Sequence, residues 1–294
     1  MRSLQTLLAG AIDYAGLFPP AKLDMDTAVK NYAAYRRGHR AWALGRFIVP
    51  AGWLTEFEKA FAKISDPQVG RWRLSALLGP NFKDDVAAIE GFNRGLARAG
   101  ALVDAIEVKV TTAQGIHDLT NTVPPPLTLY AEIPIDHDPS PLIEAMATAG
   151  ARAKVRTGGV TTDSFPSGEA LARFISACAG KKVAFKATAG LHHPLRAQYP
   201  LTYEPDSPRG VMFGFLNVLV AAAVAFRGAG VSEIVDVLNE GSASAFHFSD
   251  NDITWRNHLI DLDGVASLRN ELALSFGSCS FTEPVEDLTS LGLL

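Results

Sequence analysis

The sequence has little cysteine, no long apolar run and no excess of positive charge, and each shortage narrows what its 294 residues do. Cys178 and Cys279 are the only two cysteines, too few for a disulfide framework or a zinc cluster. Two thiols without a pairing pattern fit a reducing compartment, and the chain is expected in the cytoplasm. Lys and Arg number 27 against 31 Asp and Glu. With no basic field, neither nucleic acid nor an anionic membrane is expected as a partner. The most apolar stretch, VMFGFLNVLVAAAVAF, runs only from 211 to 226 and contains Asn217. A membrane span needs roughly 20 residues, so this stretch reads as a buried core helix, one that could also serve a homo-oligomer interface. The opening MRSLQTLLAGAIDYAG has a short apolar stretch broken by Asp13, which argues against a secretory signal. Low-complexity segments and clear repeats are missing too.

What is present is an alternation. The residues are 48% hydrophobic and 20% charged, which suits a folded chain with a large core. Short apolar runs predict strands at 46–50, 73–79, 103–110, 127–134, 152–158 and 182–190, with 11–18 supplying a first and 271–277 a last. Between them lie helical patterns. In 82–100, Val86, Ile89, Phe92 and Leu96 recur at three- and four-residue steps, ending at Gly100 as a C-cap; 141–150 and 167–180 behave alike. Strand–helix alternation implies βαβ units and a parallel sheet, and about eight units is the size of a closed (β/α)8 barrel. The expected fold is therefore α/β, a single-domain TIM barrel over residues 1–294. The stretch 191–270 exceeds one βα connection and reads as an elaborated helical insertion between strands 7 and 8.

Side chains alternate between the faces of a strand. In 103–110, Ile106, Val108 and Val110 oppose Glu107 and Lys109. In 127–134, Leu127, Leu129 and Ala131 oppose Thr128, Tyr130 and Glu132. In 152–158, Val155 opposes Lys154 and Arg156. In 182–190, Val183 and Phe185 oppose Ala184, Lys186 and Thr188. Four successive strands thus have one apolar and one charged face. In a barrel the charged face points inward, near the strand ends that carry active sites. An internal ion-pair network is the plainer account. Across four strands it is a costly one, because apolar side chains fill a barrel more cheaply. A lysine amine attacks a carbonyl only when neutral, and burial and a second cation both favour that form. Two lysines on neighbouring strands can therefore provide one Schiff-base amine and one activating cation. A nearby carboxylate such as Glu107 would move protons.

The same stretches resemble the deoxyribose-phosphate aldolases, class I aldolases built on a (β/α)8 barrel. That family has a lysine followed by x-x-T-G on strand six and F-K-x-A/S-G-G on strand seven. Here K-V-R-T-G carries Lys154 and F-K-A-T-A-G carries Lys186. IDYAGLFPPA (12–21), RFIVP (46–50), ALVDAIEVKV (101–110), YAEIP (130–134) and SFGSCS (275–280) are similar to other family segments in the same order. The resemblance implies Lys154 as the Schiff-base lysine, Lys186 as the second lysine favouring its neutral form, and Glu107 as the proton-relay acid. The expected substrate contacts are Arg156, Thr157, Gly158, Glu132, Lys109, Gly190, His192, His193, Gly277 and Ser278, and neither a cofactor nor a metal is expected. The departures are Glu107 for the family's aspartate, Arg156 for a small polar residue, the added Lys109, and the bulky turn A-G-L-H-H-P where the family binds phosphate. Arg156 is open to two readings, a clamp for a substrate carboxylate or a partner of Glu132.

The expected function is an aldolase-like lyase acting on a small aldehyde, ketone or sugar derivative. Two alternatives stand: a metal-dependent lyase, isomerase or epimerase using Glu107, Glu132 and His192, His193 or His247, and a non-catalytic metabolite binder. No H-x-H or H-E-x-x-H spacing supports the metal. Asp250, Asn251 and Asp252 read as a solvated turn or a helix N-cap. Asp13 and Tyr14 have a site role or a packing role, and Cys279 lines the site or fills core.

Overall fold

Eight short parallel strands meet edge to edge until the last pairs with the first. This is seen in a computed structural model that describes residues 1–64, 71–96 and 100–294. The chain forms β1 (Ile12–Tyr14), β2 (Leu44–Pro50), β3 (Trp72–Leu77), β4 (Ala101–Lys109), β5 (Thr128–Glu132), β6 (Arg152–Arg156) and β7 (Phe185–Thr188). A hairpin follows, β8 (Ala197–Pro200) with β9 (Arg209–Met212). Then come a three-stranded sheet, β10 (Phe246–Phe248), β11 (Asp252–Trp255) and β12 (His258–Asp261), and finally β13 (Ala273–Ser278). The barrel order is β1-β13-β7-β6-β5-β4-β3-β2, so every expected barrel strand is present and in sequence order. β1 is only three residues long, shorter than the 11–18 run, because the chain turns over residues 16–21.

The helices form the outer layer because their apolar stripes have only the sheet to bury against. Gly168–Lys181 begins where the Ser167 side chain accepts from the Ala170 N–H, and Ser140–Ala149 ends at Gly150 in the left-handed region. The expected 82–100 helix is Phe82–Leu96; residues 97–99 lie outside the described residues, and Gly100 has φ +104°. Tyr14 packs outward among the rings of Tyr32, Tyr35 and Phe47, so it belongs to the strand–helix layer and not to the barrel interior.

The 191–270 stretch contains part of the barrel's own ring. Residues 211 and 212 belong to β9, and the apolar helix starts at Phe215 and ends at Phe226. That helix packs on β13 and is itself covered by the helix Val231–Leu238 and by Leu262–Glu271. Phe215 to Ala225 are all buried, which explains a helix apolar on every side. Covered by its own chain, it offers no surface to a second copy. Asn217 is polar there for a reason. Its Oδ1 accepts from the Arg196 N–H at 2.8 Å, and its Nδ2 donates to the carbonyls of Val237 (2.8 Å) and Glu240 (2.7 Å). One amide thus ties the segment after β7 to the outer helix. Asp250–Asp252 form a hairpin turn organised by the Ser249 hydroxyl; the helix that follows is capped by Asp261 instead. Among the described residues no helix is long and apolar enough to cross a membrane.

Asn217→Ala would orphan one buried N–H and two carbonyls. We expect a loss of about 2 kcal/mol or more, read as a lowered urea midpoint with an unchanged slope, while Leu259→Ala, at a site 55% exposed, leaves the midpoint in place.

Candidate active site

Register decides which side chains meet. Lys154 on β6 stands beside Lys186 on β7, and Glu132 on β5 beside Lys154. All three point inward, since their sequence neighbours Val155, Ala187 and Ala131 face the helices. Glu107 reaches in from β4 and Asp13 from β1. The five side chains form one chain of ion pairs, Asp13–Lys186–Glu107–Lys154–Glu132. Lys186 Nζ lies 2.5 Å from Asp13 Oδ2 and 2.7 Å from Glu107 Oε1. Lys154 Nζ lies 2.8 Å from Glu107 Oε2 and 2.6 Å from Glu132 Oε2. No side chain in the chain is more than 7% exposed. Three neutral partners complete it: Ser75 Oγ donates to Glu107 Oε1 at 2.7 Å, Ser275 Oγ to Asp13 Oδ2 at 2.8 Å, and the Arg46 N–H to Asp13 Oδ1 at 2.7 Å.

Burial and charge oppose each other here. Burial alone would push the Glu107 carboxyl up, yet the charges of Lys154 and Lys186 prevail and hold it well below the usual carboxylate range. Burial would likewise pull Lys186 down. The carboxylates of Asp13 and Glu107 outweigh it and raise the amine, so Lys186 is a fixed cation. Three carboxylates against two ammoniums leave the network with one negative charge if all are ionised. Pairing of this kind recovers the cost of desolvation without much surplus, so its value to stability alone is small.

Above the network opens a cavity of about 630 Å³ at the C-terminal ends of the strands. Lys154, Lys186, Glu107, Glu132, Arg156, Lys109, Gly190, His192 and Gly277 all line it, as does Cys279. Four expected contacts are not among its lining. The Thr157 hydroxyl donates to the Ala189 carbonyl at 2.6 Å, fastening the β6 turn to the β7 turn. Gly158 lies under Phe165, where a Cβ would come within 2.4 Å of the ring. His193 stacks on Tyr199 and bonds Asp287 Oδ2 at 2.6 Å through Nδ1. Ser278 faces His192 Nδ1 at 3.3 Å. Gly190 lines the cavity but is also needed structurally: at φ +73°, a Cβ would meet Phe165 and Gly158. Of the two readings for Arg156, pairing with Glu132 is overturned. Glu132 Oε2 is taken by Lys154, and among the described residues the Arg156 guanidinium bonds only the Gly158 carbonyl, at 3.4 Å.

A second cluster sits at the rim between β7 and β13. Glu283 lies in the first turn of the helix Thr282–Ser290. Its Oε2 is 3.5 Å from His192 Nδ1 and accepts from the Tyr203 hydroxyl at 3.2 Å. Cys279 Sγ lies 3.7 Å from the same histidine nitrogen. Burial would lower the His192 pKa, but its bonds with Cys279 and Glu283 prevail and raise it to about 9. Asp13, Ser75, Ser275 and Glu283 are the site members that sequence patterning weighted too low. Asp13 carried a signal, a carboxylate inside an apolar run, though β1 is too short to show alternation.

Among the described residues no three of His, Cys, Asp and Glu converge as a metal-holding group, and His247 lies in β10, away from the barrel strands. Searches for kinship add nothing to the geometry: neither a protein-family model nor a curated protein matches this chain.

A histidine whose pKa rises from its ordinary value near 6.5 to about 9 on folding contributes stability that is whole below pH 6.5 and lost as pH climbs through 9. We therefore expect the wild-type Tm to fall between pH 7 and 9.5 by more than that of His192→Gln, measured by calorimetry across that range.

Proposed function

We propose that the protein is a Schiff-base-forming lyase of the aldolase type, acting on a small aldehyde, ketone or sugar derivative. The observation that carries this reading is Glu107, whose two carboxylate oxygens hold the two lysines separately, Lys186 on one and Lys154 on the other. TIM barrels bear their chemistry at this end of the strands, where the cavity lies.

The roles divide by environment. Lys186 is held charged by Asp13 and Glu107 and serves as the fixed cation. Lys154 lines the cavity and is the nucleophile. Its proton passes to a carboxylate neighbour, and the neutral amine attacks the substrate carbonyl carbon. The carbinolamine then loses water, taking its hydroxyl out with a proton from Glu107. The iminium left on Lys154 draws the electron pair of the Cα–Cβ bond while a hydroxyl on the β-carbon gives its proton to the Glu107 carboxylate, and the bond breaks to an enamine on Lys154 and a carbonyl product. Protonation of the enamine and addition of water return free Lys154. Glu107 suits a relay because its proton affinity is conditional. Its carboxyl is held low by two ammoniums, and when Lys154 becomes neutral one of those constraints disappears.

The reading extends the resemblance to the deoxyribose-phosphate aldolases from motifs to roles, and the two free thiols suit the cytoplasm. A metal-dependent reaction is less well supported, because Glu107 and Glu132 spend oxygens on lysine.

Incubation with a panel of short aldehydes and ketones, followed by borohydride reduction and peptide mass mapping, should place the adduct on Lys154. Lys154→Met should abolish trapping, and Glu107→Gln should slow it by about 10²-fold or more, the usual worth of positioned acid–base catalysis. No adduct on either lysine across the panel would sink the proposal.

A further inference from the structure

The cavity is divided by chemistry. Its wall from β1, β2 and β3 is apolar, with Phe18, Pro19, Pro20, Ile48, Leu77 and Leu78. Charge enters only from β4 onward. Above the ion-pair network, the cavity-lining lysine and arginine on that side are Lys109 and Arg156, while His192 at the β7–β13 rim is engaged by Glu283. Each stands two residues beyond a member of the network on the same strand, Lys109 beyond Glu107 and Arg156 beyond Lys154. Each is therefore on the inward face, about 7 Å nearer the mouth. Among the described residues no carboxylate lies in ion-pair reach of either, although every charged group beneath them is paired.

The other place where an anion could be held is already filled. The helix Thr282–Ser290 starts just beyond β13, where a helix N-terminus would favour a phosphate. Glu283 occupies its first turn and brings a carboxylate against His192 and Tyr203. Burial pushes the Glu283 carboxyl up, but its contacts with His192 hold it below the usual range, so it stays ionised. A phosphate there would have to displace the Glu283 carboxylate from its contacts with His192 and Tyr203.

We infer that the substrate is an apolar oxo acid, with its carboxylate held by Arg156 and Lys109, its carbonyl over Lys154 and its hydrocarbon part along the β1–β3 wall. The fork of a guanidinium matches a carboxylate with two parallel N–H bonds, and Lys109 adds a point charge beside it. The proposal deepens the Schiff-base reading and rests on it only for the placement of the carbonyl.

The test compares 4-methyl-2-oxopentanoate, 4-methylpentan-2-one and dihydroxyacetone phosphate by calorimetric titration of the full chain. The first two differ essentially in the carboxylate. The oxo acid should bind the wild type at least about tenfold more tightly than the ketone, the usual worth of a charge-assisted pair. Arg156→Gln should erase most of that preference and Lys109→Gln part of it, with ketone affinity unchanged. Arg156 and Lys109 are exposed, so neither variant is expected to unfold the chain, and an unchanged Tm checks this. The inference is overturned if the oxo acid binds no more tightly than the ketone, if the preference survives in the double variant, or if dihydroxyacetone phosphate binds more tightly. Borohydride trapping on the same samples reports Lys154 separately. Arg156-dependent binding without an adduct keeps the carboxylate site and removes the Schiff base. An adduct from the ketone, with no preference for the acid, does the reverse.

Discussion

Glu107 between Lys154 and Lys186 is the interaction on which the rest depends. Neither lysine would be tolerable in a barrel lumen alone, since an unpaired buried ammonium costs several kcal/mol. Glu107 alone would be a protonated acid, as burial by itself would make it. Together they fix one another's charge. The barrel is required for the meeting, because Glu107 on β4 and Lys186 on β7 are not neighbours in the sheet and touch only across a closed lumen. An open sheet of the same strands would part them.

Much of the surrounding structure keeps that meeting in register. Thr157 ties the β6 turn to the β7 turn, and Gly158 and Gly190 pack together under Phe165, which leaves no room for a Cβ at either. The T-G pair after β6 and the A-G pair after β7 are therefore explained by close backbone packing. Asn217 does similar work at longer range. It holds the segment after β7 to the outer helix, and that segment carries His192 to the rim. In both cases polar groups satisfied inside the chain fix the geometry of loops that would otherwise be free to drift.

The barrel is legible in the sequence because its strands alternate, and parity on four of them places Glu107, Glu132, Lys154 and Lys186 on one face. Parity fails where strands are short or helices fully covered. β1 has three residues, too few for a pattern, so Asp13 did not stand out as part of the same network. The helix Phe215–Phe226 is apolar all round because it is sandwiched, and a sandwiched helix has no stripe to read. The histidine pair was undecidable for a related reason: adjacent residues point apart, and only the fold says that His192 turns to the cavity while His193 stacks on Tyr199.

The two halves of the network differ in a way that bears on which lysine reacts. Around Lys186, Glu107 Oε1 and Asp13 Oδ2 each also receive a serine hydroxyl, from Ser75 and Ser275. That half is saturated, and moving Lys186 would leave two hydroxyls and two carboxylates to rearrange in a dry interior. Around Lys154 the oxygens are Glu107 Oε2 and Glu132 Oε2, and among the described residues no hydroxyl or backbone N–H reaches either. In the proposed reaction these oxygens have lone pairs free to take the Lys154 proton, and the cavity above has room for a carbonyl. In the proposed reaction, a saturated cation beside an unsaturated one is the asymmetry that would let one lysine stay charged while its neighbour reacts, and it follows from which carboxylate oxygens two buried serines reach.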